Sequence, residues 1–506
     1  MKKLSALTLS AAMLLSLSVG CSSGSDSSTG GTTGGTTGGS TGGDTSNISV
    51  GQPFGSADSP VEVTIIMKDV TASEESTLML VEAIEAGMAA NEQYVKLTYM
   101  DAPSGTYADA VPVAVRTGQI SPDIIYFQGG DSALSGDDML VDLTPYLAQS
   151  THIKNLMQPA HDERMASYPY LLWLAPNRVN VPMIRGDYME YDSVQAVMDD
   201  PSVDNYVAMY KDLVAQGVAE FGFTADGNLS RLDTIFNQAF GVTGSFIETS
   251  DGFVSHMVTE ANRDKLAFYA DLYAQGLIDP EYVTNEWDTM EAAFFSNRSA
   301  TMAGTGGIVY VYNNSMTNAN GEDAALMILP PADGVAQGYT AVDVTKESRG
   351  FAINADSEVK NEAFAVLEFM ASDAGRIIDK LGIQDVHYVI NEDGTYETTD
   401  RYGEWWARIW DTFHNFPEDI EFVEYPVSDS QLDALSSMDE YYVKDMNVIF
   451  SEDLQPTWDA LVMLHNTFMV DVVTGAESID SFDDFVAEWY AMGGESIHEF
   501  VNSELS

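Results

Sequence analysis

The order of short apolar segments between residues 61 and 127 most limits the folds open to this chain. Three runs have the length and composition of strands: Val61–Met67, Val95–Met100 and Pro122–Phe127. Between the first two, residues 74–91 repeat apolar side chains at helical spacing. Because strands joined by a helical crossover lie parallel, this order predicts an α/β fold with a mainly parallel sheet and helices on both faces. Ligands of such sheets bind beyond the carboxyl ends of the strands.

The rest of the chain continues this pattern. The helix over residues 74–91 is expected to bury Leu78, Val81, Ile84 and Met88. Further helices are predicted over 203–216, 231–240, 262–276, 289–297 and 359–370, and further strands over Ser299–Tyr310 and Arg349–Asn354. The segment Gly304–Gly307 predicts a turn with no helical pattern after it, so it does not suggest a dinucleotide-binding loop.

The first 50 residues differ in composition from the rest. Two lysines precede the apolar run Leu4–Val19, which is too short to span a membrane and leads to Cys21. This arrangement resembles a lipoprotein signal peptide over residues 1–20, which implies that Cys21 carries a lipid and is no redox or metal residue. Residues 21–50, rich in Gly, Ser and Thr, predict a flexible tether with a reach on the order of 30 Å. The alternative is an ordinary secretory peptide.

The charge balance argues against several classes of partner. The sequence has 22 Lys and Arg against 78 Asp and Glu, a formal net charge of −56. Such a field repels phosphate backbones and anionic headgroups, which argues against nucleic-acid binding and against membrane attachment through basic patches. The rest of the sequence has no run of about 18 consecutive apolar residues, so it predicts no second membrane-crossing segment. We therefore expect an acidic body of roughly 450 residues on the extracellular face of the cell membrane, held there by lipid.

Four segments in chain order resemble those of a known family. They are Met183–Met189, the pair Phe268–Glu281 and Ala293–Met302, Gly382–Tyr388, and Val472–Gly475 followed by Phe485–Gly493. Together they resemble the family 1 extracellular solute-binding proteins of ABC importers, especially their lipoprotein branch. Two departures, Ser296-Asn297-Arg298 for a Gly-Lys turn and Gly186-Asp187-Tyr188 for Lys-Asp-Trp, indicate a divergent member.

The resemblance implies two α/β lobes joined by crossing hinge strands, with a ligand cleft that closes by hinge motion. The implied division is residues 55–170 plus 304–345 for one lobe and 175–300 plus 350–500 for the other, with crossings near Leu174–Pro176, Met302–Gly304 and Arg349–Phe351. It also implies a monomeric receptor without a cofactor. Such a receptor captures a carbohydrate, an oligosaccharide more readily than a monosaccharide, and delivers it to ABC permease subunits.

Sugar recognition needs flat apolar faces for pyranose C–H groups and planar polar groups that pair with hydroxyls. The residues predicted to bind ligand are Asp69, Asp131, Trp173, Tyr310, Tyr312, Arg349, Trp406 and Trp410. Further candidates are Tyr126, Trp287, Trp405, Trp458, Gln128, Asn313 and Asp411. Packing is the alternative for the aromatic residues, at the hinge for Trp173, and an ion pair between the lobes is the alternative for Arg349.

The sequence lacks the common catalytic motifs. Its seven histidines form no His-Glu-x-x-His pattern, and no Gly-x-Ser-x-Gly elbow occurs, so we expect no catalytic residue and no metal. Asn391–Gly394 only weakly resembles a calcium turn and favours a solvated hairpin. Three other functions stay open: a surface carbohydrate-active enzyme, a binding protein for a peptide or other polar solute, and a surface adhesin.

Overall fold

The structure is a computed structural model that describes residues 48–174, 179–250, 252–341, 349–405, 416–417, 419–446, 448, 450 and 453–505. In these ranges the strands are β1 (Val61–Ile66), β2 (Val95–Met100), β3 (Ile124–Gln128), β4 (Asn180–Arg185), β5 (Phe221–Thr224), β6 (Phe246–Thr249), β7 (Gly252–Ser255), β8 (Ser299–Thr305), β9 (Leu326–Ile328), β10 (Tyr339–Thr340), β11 (Arg349–Ile353), β12 (Tyr388–Ile390), β13 (Tyr396–Thr398) and β14 (Tyr442–Val443).

The helices of the same ranges are α1 (Glu75–Ala89), α2 (Tyr107–Arg116), α3 (Ser132–Ser135), α4 (Thr144–Leu147), α5 (His152–Leu156), α6 (Pro159–Ser167), α7 (Asp192–Asp199), α8 (Val203–Ala215), α9 (Ser230–Phe236), α10 (Glu260–Ala274), α11 (Trp287–Phe295), α12 (Val309–Asn320), α13 (Lys360–Met370), α14 (Asp373–Leu381), α15 (Asp429–Tyr441), α16 (Gln455–Thr474), α17 (Phe482–Trp489) and α18 (Glu495–Leu505). Of these described helices, none is both long and apolar enough to cross a membrane.

The first sheet has the strand order β11-β3-β1-β2. Strands β1, β2 and β3 are parallel, as the strand–helix–strand pattern predicts, and β1 pairs with β2 from Val61↔Val95 to Ile66↔Met100. Strand β11 runs antiparallel to β3 and begins with Arg349 opposite Gln128, the last residue of β3. The buried side chains of these strands pack with α1 and α13 in one apolar core.

Helix α1 confirms the predicted helix and the burial of Ile84 and Met88, but it does not bury Leu78. Its buried residues are Thr77, Leu80, Ile84 and Met88, whereas Leu78 is 56% exposed. The neighbour that sets this rotation is Phe369 of α13, because a Cβ added at Gly87 would lie 2.4 Å from its ring. The face with Gly87 therefore lies against α13, and Leu78 is turned to solvent.

The second sheet has the order β5-β8-β4-β9. Strand β8 is parallel to β5 but antiparallel to β4, which begins with Asn180 opposite Thr305, the last residue of β8. Helices α8, α10, α16 and α17 contribute to the large apolar core on this side of the molecule. Two of the three strand pairs in this sheet are antiparallel, whereas the sequence pattern predicts a mainly parallel sheet.

Two segments pack with the opposite sheet from the one expected. Strand β9 pairs with β4, so residues 326–328 belong to the second sheet and not the first. Strand β11 pairs with β3, and α13 packs on α1, so residues 349–370 belong to the first sheet. Residues 302–304 lie within β8, which has strand partners on both sides, so they form no crossing. The expected division is wrong for these segments because an isolated strand pattern does not encode which sheet the strand joins.

The chain passes from the first sheet to the second after Leu174 and returns after Ala341, and the described residues that flank these two passages pair with each other. Leu172 and Phe351 exchange backbone hydrogen bonds of 2.8 Å, and Val179 pairs with Ala341. A Cβ at Gly350, where φ is +141°, would lie 2.6 Å from the Leu172 carbonyl oxygen, so this close approach requires glycine. Since an extended residue spans at most about 3.6 Å, Leu174 and Val179 lie no more than about 18 Å apart.

Both passages connect the same edges of the sheets. Strand β11 begins beside the carboxyl end of β3, and β4 begins beside the carboxyl end of β8. The short passages thus place the carboxyl ends of the parallel strands of both sheets near one gap. This is the edge at which α/β sheets bind ligands.

Gly304–Gly307 leads directly into α12, contrary to the expectation that no helix follows. The first turn of α12 is held by Gln431, whose side chain accepts from the Tyr310 amide at 2.9 Å and donates to the Gly306 carbonyl at 2.8 Å. The sequence Val309-Tyr-Val-Tyr312 has strand-like propensity. Contacts from α15 determine the conformation here, so local sequence was a poor guide.

Candidate functional site

The carboxyl edge of the first sheet brings together several residues predicted to bind ligand. Asp69 follows β1 in a left-handed turn with φ of +60°, is exposed, and lies 3.8 Å from the Lys68 ammonium group. Asp131 follows β3 but is only 4% exposed, and its carboxylate accepts a 2.9 Å hydrogen bond from the Tyr170 hydroxyl. Burial is the main cause of the raised pKa of Tyr170, so this phenol stays a donor. Asp69 is thus the accessible acid and Asp131 the buried one.

Trp173 and Arg349 meet beside the first passage between the sheets. Trp173 is 3% exposed, and its ring centroid lies 5.9 Å from that of Tyr126. The Arg349 guanidinium carbon lies 5.7 Å from the centroid of the Trp173 ring. The backbone carbonyl of Arg349 accepts a 2.8 Å hydrogen bond from the Arg164 guanidinium group. The Trp173 ring is therefore buried in the first core.

Tyr310 and Tyr312 lie on the first turn of α12 and face different surroundings. Tyr312 is 1% exposed, and its ring centroid lies 6.3 Å from that of Trp287. Tyr310 is half-buried and lines a cavity of about 450 Å³. The volume falls in the range of about 300–1,000 Å³ typical of small-molecule sites.

The cavity lies between elements that pack on different sheets. Helices α12 and α15 pack with the second sheet, while α14 packs with α1 of the first. Its aromatic lining comes from Tyr310, Tyr402, Trp405 and Phe416. Its polar lining includes Asn314, Ser315, Asn318, Asp379, Lys380, Ser428 and Gln431. The cavity therefore offers aromatic side chains together with carboxamide and hydroxyl groups, as hydroxyl-rich ligands require.

The aromatic and charged residues of this wall are held in place. The Trp405 indole donates a 3.2 Å hydrogen bond to the Asp379 carbonyl and lies 4.7 Å from the His387 ring. The Asp379 carboxylate lies 3.0 Å from the Lys380 ammonium group. Among the described residues no group of three or more His, Cys, Asp or Glu is placed to hold a metal ion. Uncharged hydrogen bonding and stacking are the main interactions that this wall offers.

Several lining residues, among them Asn314 and Asn318, were not singled out from the sequence. They follow the predicted residue Tyr310 at intervals of four residues along α12, so the three share one face of the helix. That spacing is the sequence signal that could have indicated these lining residues. It predicts a shared face only if the segment is helical. Tyr402 and Lys380 come from the first-sheet side and gave no local signal.

The other sequence candidates occupy a range of positions. Tyr126 and Trp458 are 4% exposed and belong to the cores, and the Asn313 carboxamide accepts from the Leu326 amide at 2.8 Å. Trp287 is 36% exposed. Cys21, Trp406, Trp410 and Asp411 lie outside the described residues.

The two sheets are joined by short connections, and the cavity is lined by elements that pack on each of them. These features define a two-lobed binding protein. The sequence matches the model of the bacterial extracellular solute-binding protein family over residues 77–377. This chain belongs to that family, which confirms the family resemblance; the matched range contains the first two of the four segments. The family consists of extracellular binding proteins rather than enzymes.

Solved structures show the same fold at low sequence identity. An extracellular solute-binding protein from Bifidobacterium longum subsp. infantis has a TM-score of 0.66 at 11% identity, covering 89% of this chain and 99% of that one. The N-glycan transport solute-binding protein NgtS from Streptococcus pneumoniae has a TM-score of 0.63 at 12% identity, covering 88% and 100%. The alginate-binding protein AlgQ2 has a TM-score of 0.61 at 15% identity, covering 88% and 98%. Curated protein sequences gave no significant match.

Proposed function

We propose that this protein is a lipid-anchored extracellular receptor that captures an oligosaccharide between its two lobes and delivers it to an ABC permease. The observation that carries the proposal is the cavity of about 450 Å³. Its lining combines aromatic side chains with carboxamides, and these come from elements that pack on both sheets. Proteins of the same fold support a glycan ligand, since they include a human-milk-oligosaccharide-binding protein, an N-glycan transporter component and a complex with kestose.

We assign direct ligand contact first to Tyr310 and Trp405, because both line the cavity. Asp69 and Arg349 lie at the facing edge of the first sheet and are placed to reach the ligand when the gap narrows. Asp131, Trp173 and Tyr312, each 4% exposed or less, would support the contacting residues from behind. Ligand contact by Trp406 and Trp410 stays a prediction from the sequence.

The lobes of this proposal follow strand pairing. Residues 55–174 and 349–405, with residues 419–427 that pack on them, would form one lobe, and residues 179–341 and 428–505 the other, because their sheets and cores are separate. The passages at 174–179 and 341–349 would be the hinge. Cys21 would carry the lipid, and residues 21–50 would tether the body to the membrane.

The test is a binding screen of the mature chain, which begins at Cys21. Calorimetry and thermal unfolding are measured with fragments of alginate, fructan, N-glycan and milk oligosaccharides, together with peptides. A glycan that binds only the folded protein raises the melting temperature by mass action. We expect one glycan class to bind and to be recovered intact. Binding of peptides alone would refute the carbohydrate assignment, and recovery of cleaved glycan would favour a carbohydrate-active enzyme.

A further inference from the structure

We propose that Trp287 forms a second glycan-binding platform outside the cavity, so that tight binding requires an oligosaccharide long enough to reach it. This inference rests on the proposed function and specifies the length of the ligand. It concerns the carboxyl edge of the second sheet, opposite the edge that bears Asp69.

Trp287 stands apart from the buried tryptophans by its exposure. It is 36% exposed as the first residue of α11, whereas Trp173, Trp458 and Trp489 are 4% exposed or less. Leaving a large apolar ring in water on a strongly charged protein gains nothing for the fold. An exposed indole at a ligand-binding edge suits contact with an apolar sugar face.

The indole is held rigidly although it is exposed. The Arg231 guanidinium carbon lies 4.5 Å from the ring centroid of Trp287. That guanidinium is itself fixed by hydrogen bonds of 2.5 and 2.9 Å to the Asp226 carboxylate and 3.0 Å to the Ala303 carbonyl. A rigid platform loses little conformational entropy when a ligand stacks on it.

One further contact holds the Trp287 ring from the protein side. The buried ring of Tyr312 has its centroid 6.3 Å from that of Trp287. Arg231 and Tyr312 are therefore a preformed mount, and the exposed part of the ring is left for a ligand.

The position of Trp287 relates it to the cavity. Asp226 follows β5, and Ala303 lies near the end of β8, so the mount lies at the carboxyl edge of the second sheet. Tyr312, which contacts Trp287, is two residues from Tyr310, which lines the cavity. Side chains two apart on a helix point about 200° apart, so the two aromatic surfaces lie on opposite sides of the first turn of α12. A ligand that contacts both must extend across this turn.

The experiment measures affinity against chain length with the mature protein. The probes are the alginate, malto- and fructo-oligosaccharide series from two to six units, with calorimetry as the readout. For the series that binds, we expect Trp287→Ala to lower affinity for five and six units about tenfold and to leave the two-unit compound unchanged. Tyr310→Ala should lower affinity at all lengths. Trp287→Phe, which keeps a ring, should retain most of the affinity for the long compounds.

Met463→Ala is the matched control, because Met463 is 70% exposed on α16 and does not line the cavity. It should change affinity at no length. Equal loss at every length for Trp287→Ala, or no loss at any length, overturns the proposal of a second platform while the proposed function stands. If the wild-type protein binds none of these series and no N-glycan or milk oligosaccharide either, both proposals are refuted.

A second measurement uses the wild-type protein, so its result does not depend on whether a variant folds. Oxidation of tryptophan by N-bromosuccinimide, mapped by mass spectrometry, should modify Trp287 in the free protein. The six-unit compound should protect Trp287, and the two-unit compound should not. Oxidation of Trp287 that is unaffected by saturating six-unit compound would overturn the second platform.

Discussion

Tyr310 and Tyr312 show how two residues of the same type and nearly the same position acquire different roles. Tyr310 lines the cavity, whereas Tyr312 is 1% exposed and packs in the core around β8. The sequence predicted ligand contact or packing for this pair without dividing the two roles. The division follows from helical geometry, since residues two apart point to opposite sides.

This division predicts different defects for the two alanine variants. Tyr310→Ala should weaken glycan binding by about 1–3 kcal/mol with little change in the free energy of unfolding. Tyr312→Ala removes a buried ring and should lower the free energy of unfolding by about 3–5 kcal/mol. Calorimetry with the bound glycan and urea unfolding monitored by circular dichroism check the pair. Equal effects of both variants on stability would contradict the assignment.

Asp393 illustrates a residue whose local pattern was interpreted correctly. The segment after Ile390 was favoured as a hairpin over a calcium turn, and strands β12 and β13 confirm the hairpin. The Asp393 carboxylate accepts from the Thr395 amide at 3.0 Å and from its hydroxyl at 2.7 Å. These bonds lower the pKa of Asp393. Turn chemistry is local, which is why the sequence was enough here.

At the scale of elements, helices α10 and α16 are joined by a buried polar cluster. The Asn262 carboxamide donates to Nε2 of His465 at 3.0 Å and to the Met257 carbonyl at 3.2 Å. Nδ1 of His256 lies 3.1 Å from the Ser245 carbonyl. Nearby, the Lys265 ammonium group lies 2.7 Å from the Asp233 carboxylate. His465 must be neutral for this arrangement, because its Nε2 faces a donor.

Stability should therefore fall in mild acid. Burial first, and the Lys265 charge next, lower the pKa of His256 to about 4, and burial lowers the pKa of His465 well below 6.5. As the pH falls below about 6.5 the unfolded chain gains protons that the native state excludes, so stability is lost down to about pH 4. The slope is about 1.4 kcal/mol per pH unit for each histidine.

Urea unfolding at several pH values from 7.0 to 4.5 measures this slope. His465→Gln should reduce it by about 1.4 kcal/mol per pH unit, since one titrating group is removed. Met463→Ala, at an exposed position on α16 that carries no titrating group, should leave it unchanged. The same slope in His465→Gln as in the wild type would contradict the role of the cluster.

The elements themselves were predicted with uneven success. Strands β1, β2 and β3 and helices α1, α8 and α10 lie within one to three residues of the predicted bounds, because their hydrophobic periodicity is strong. Helix α12 was missed because its first turn is strand-like in composition and depends on Gln431 from α15. A contact 121 residues away leaves no local signal.

At the scale of the whole molecule, an ion pair joins elements that pack on different sheets. The Lys444 ammonium group lies 2.8 and 3.2 Å from the two carboxylate oxygens of Glu163 in α6. Lys444 follows β14, which pairs with β10 on the second-sheet side, and Met165 of α6 belongs to the first core. The side chains are 64% and 45% exposed, so the pair contributes at most about 1 kcal/mol.

Even that amount can shift an equilibrium between open and closed lobes severalfold. We expect Lys444→Glu to raise the radius of gyration of the ligand-free protein in small-angle scattering, with return to the wild-type value when glycan is added. Lys154→Glu is the control, because Lys154 pairs with Asp162 at 3.2 Å within the first-sheet side. A rise of equal size in both variants would indicate general charge repulsion and no specific contact between the lobes.

Attachment to the membrane also belongs to this scale. If Cys21 carries the lipid, Cys21→Ser should release the protein from the membrane fraction into the medium, with unchanged glycan affinity. Cell fractionation and labelling with a palmitate analogue measure this. Retention of Cys21→Ser in the membrane fraction without label would refute the lipid anchor.

The sequence by itself determined the α/β class, several of the strands and helices, and the membership in a family of solute-binding proteins. These follow from periodicity and from short motifs, which are properties of neighbouring residues. Only the tertiary structure decided that β9 joins the second sheet and β11 the first, that Tyr310 lines a cavity while Tyr312 is buried, and that Trp287 is mounted on Arg231. These features depend on contacts between residues far apart in the chain, and such contacts are set by packing and strand pairing, which local patterns do not record.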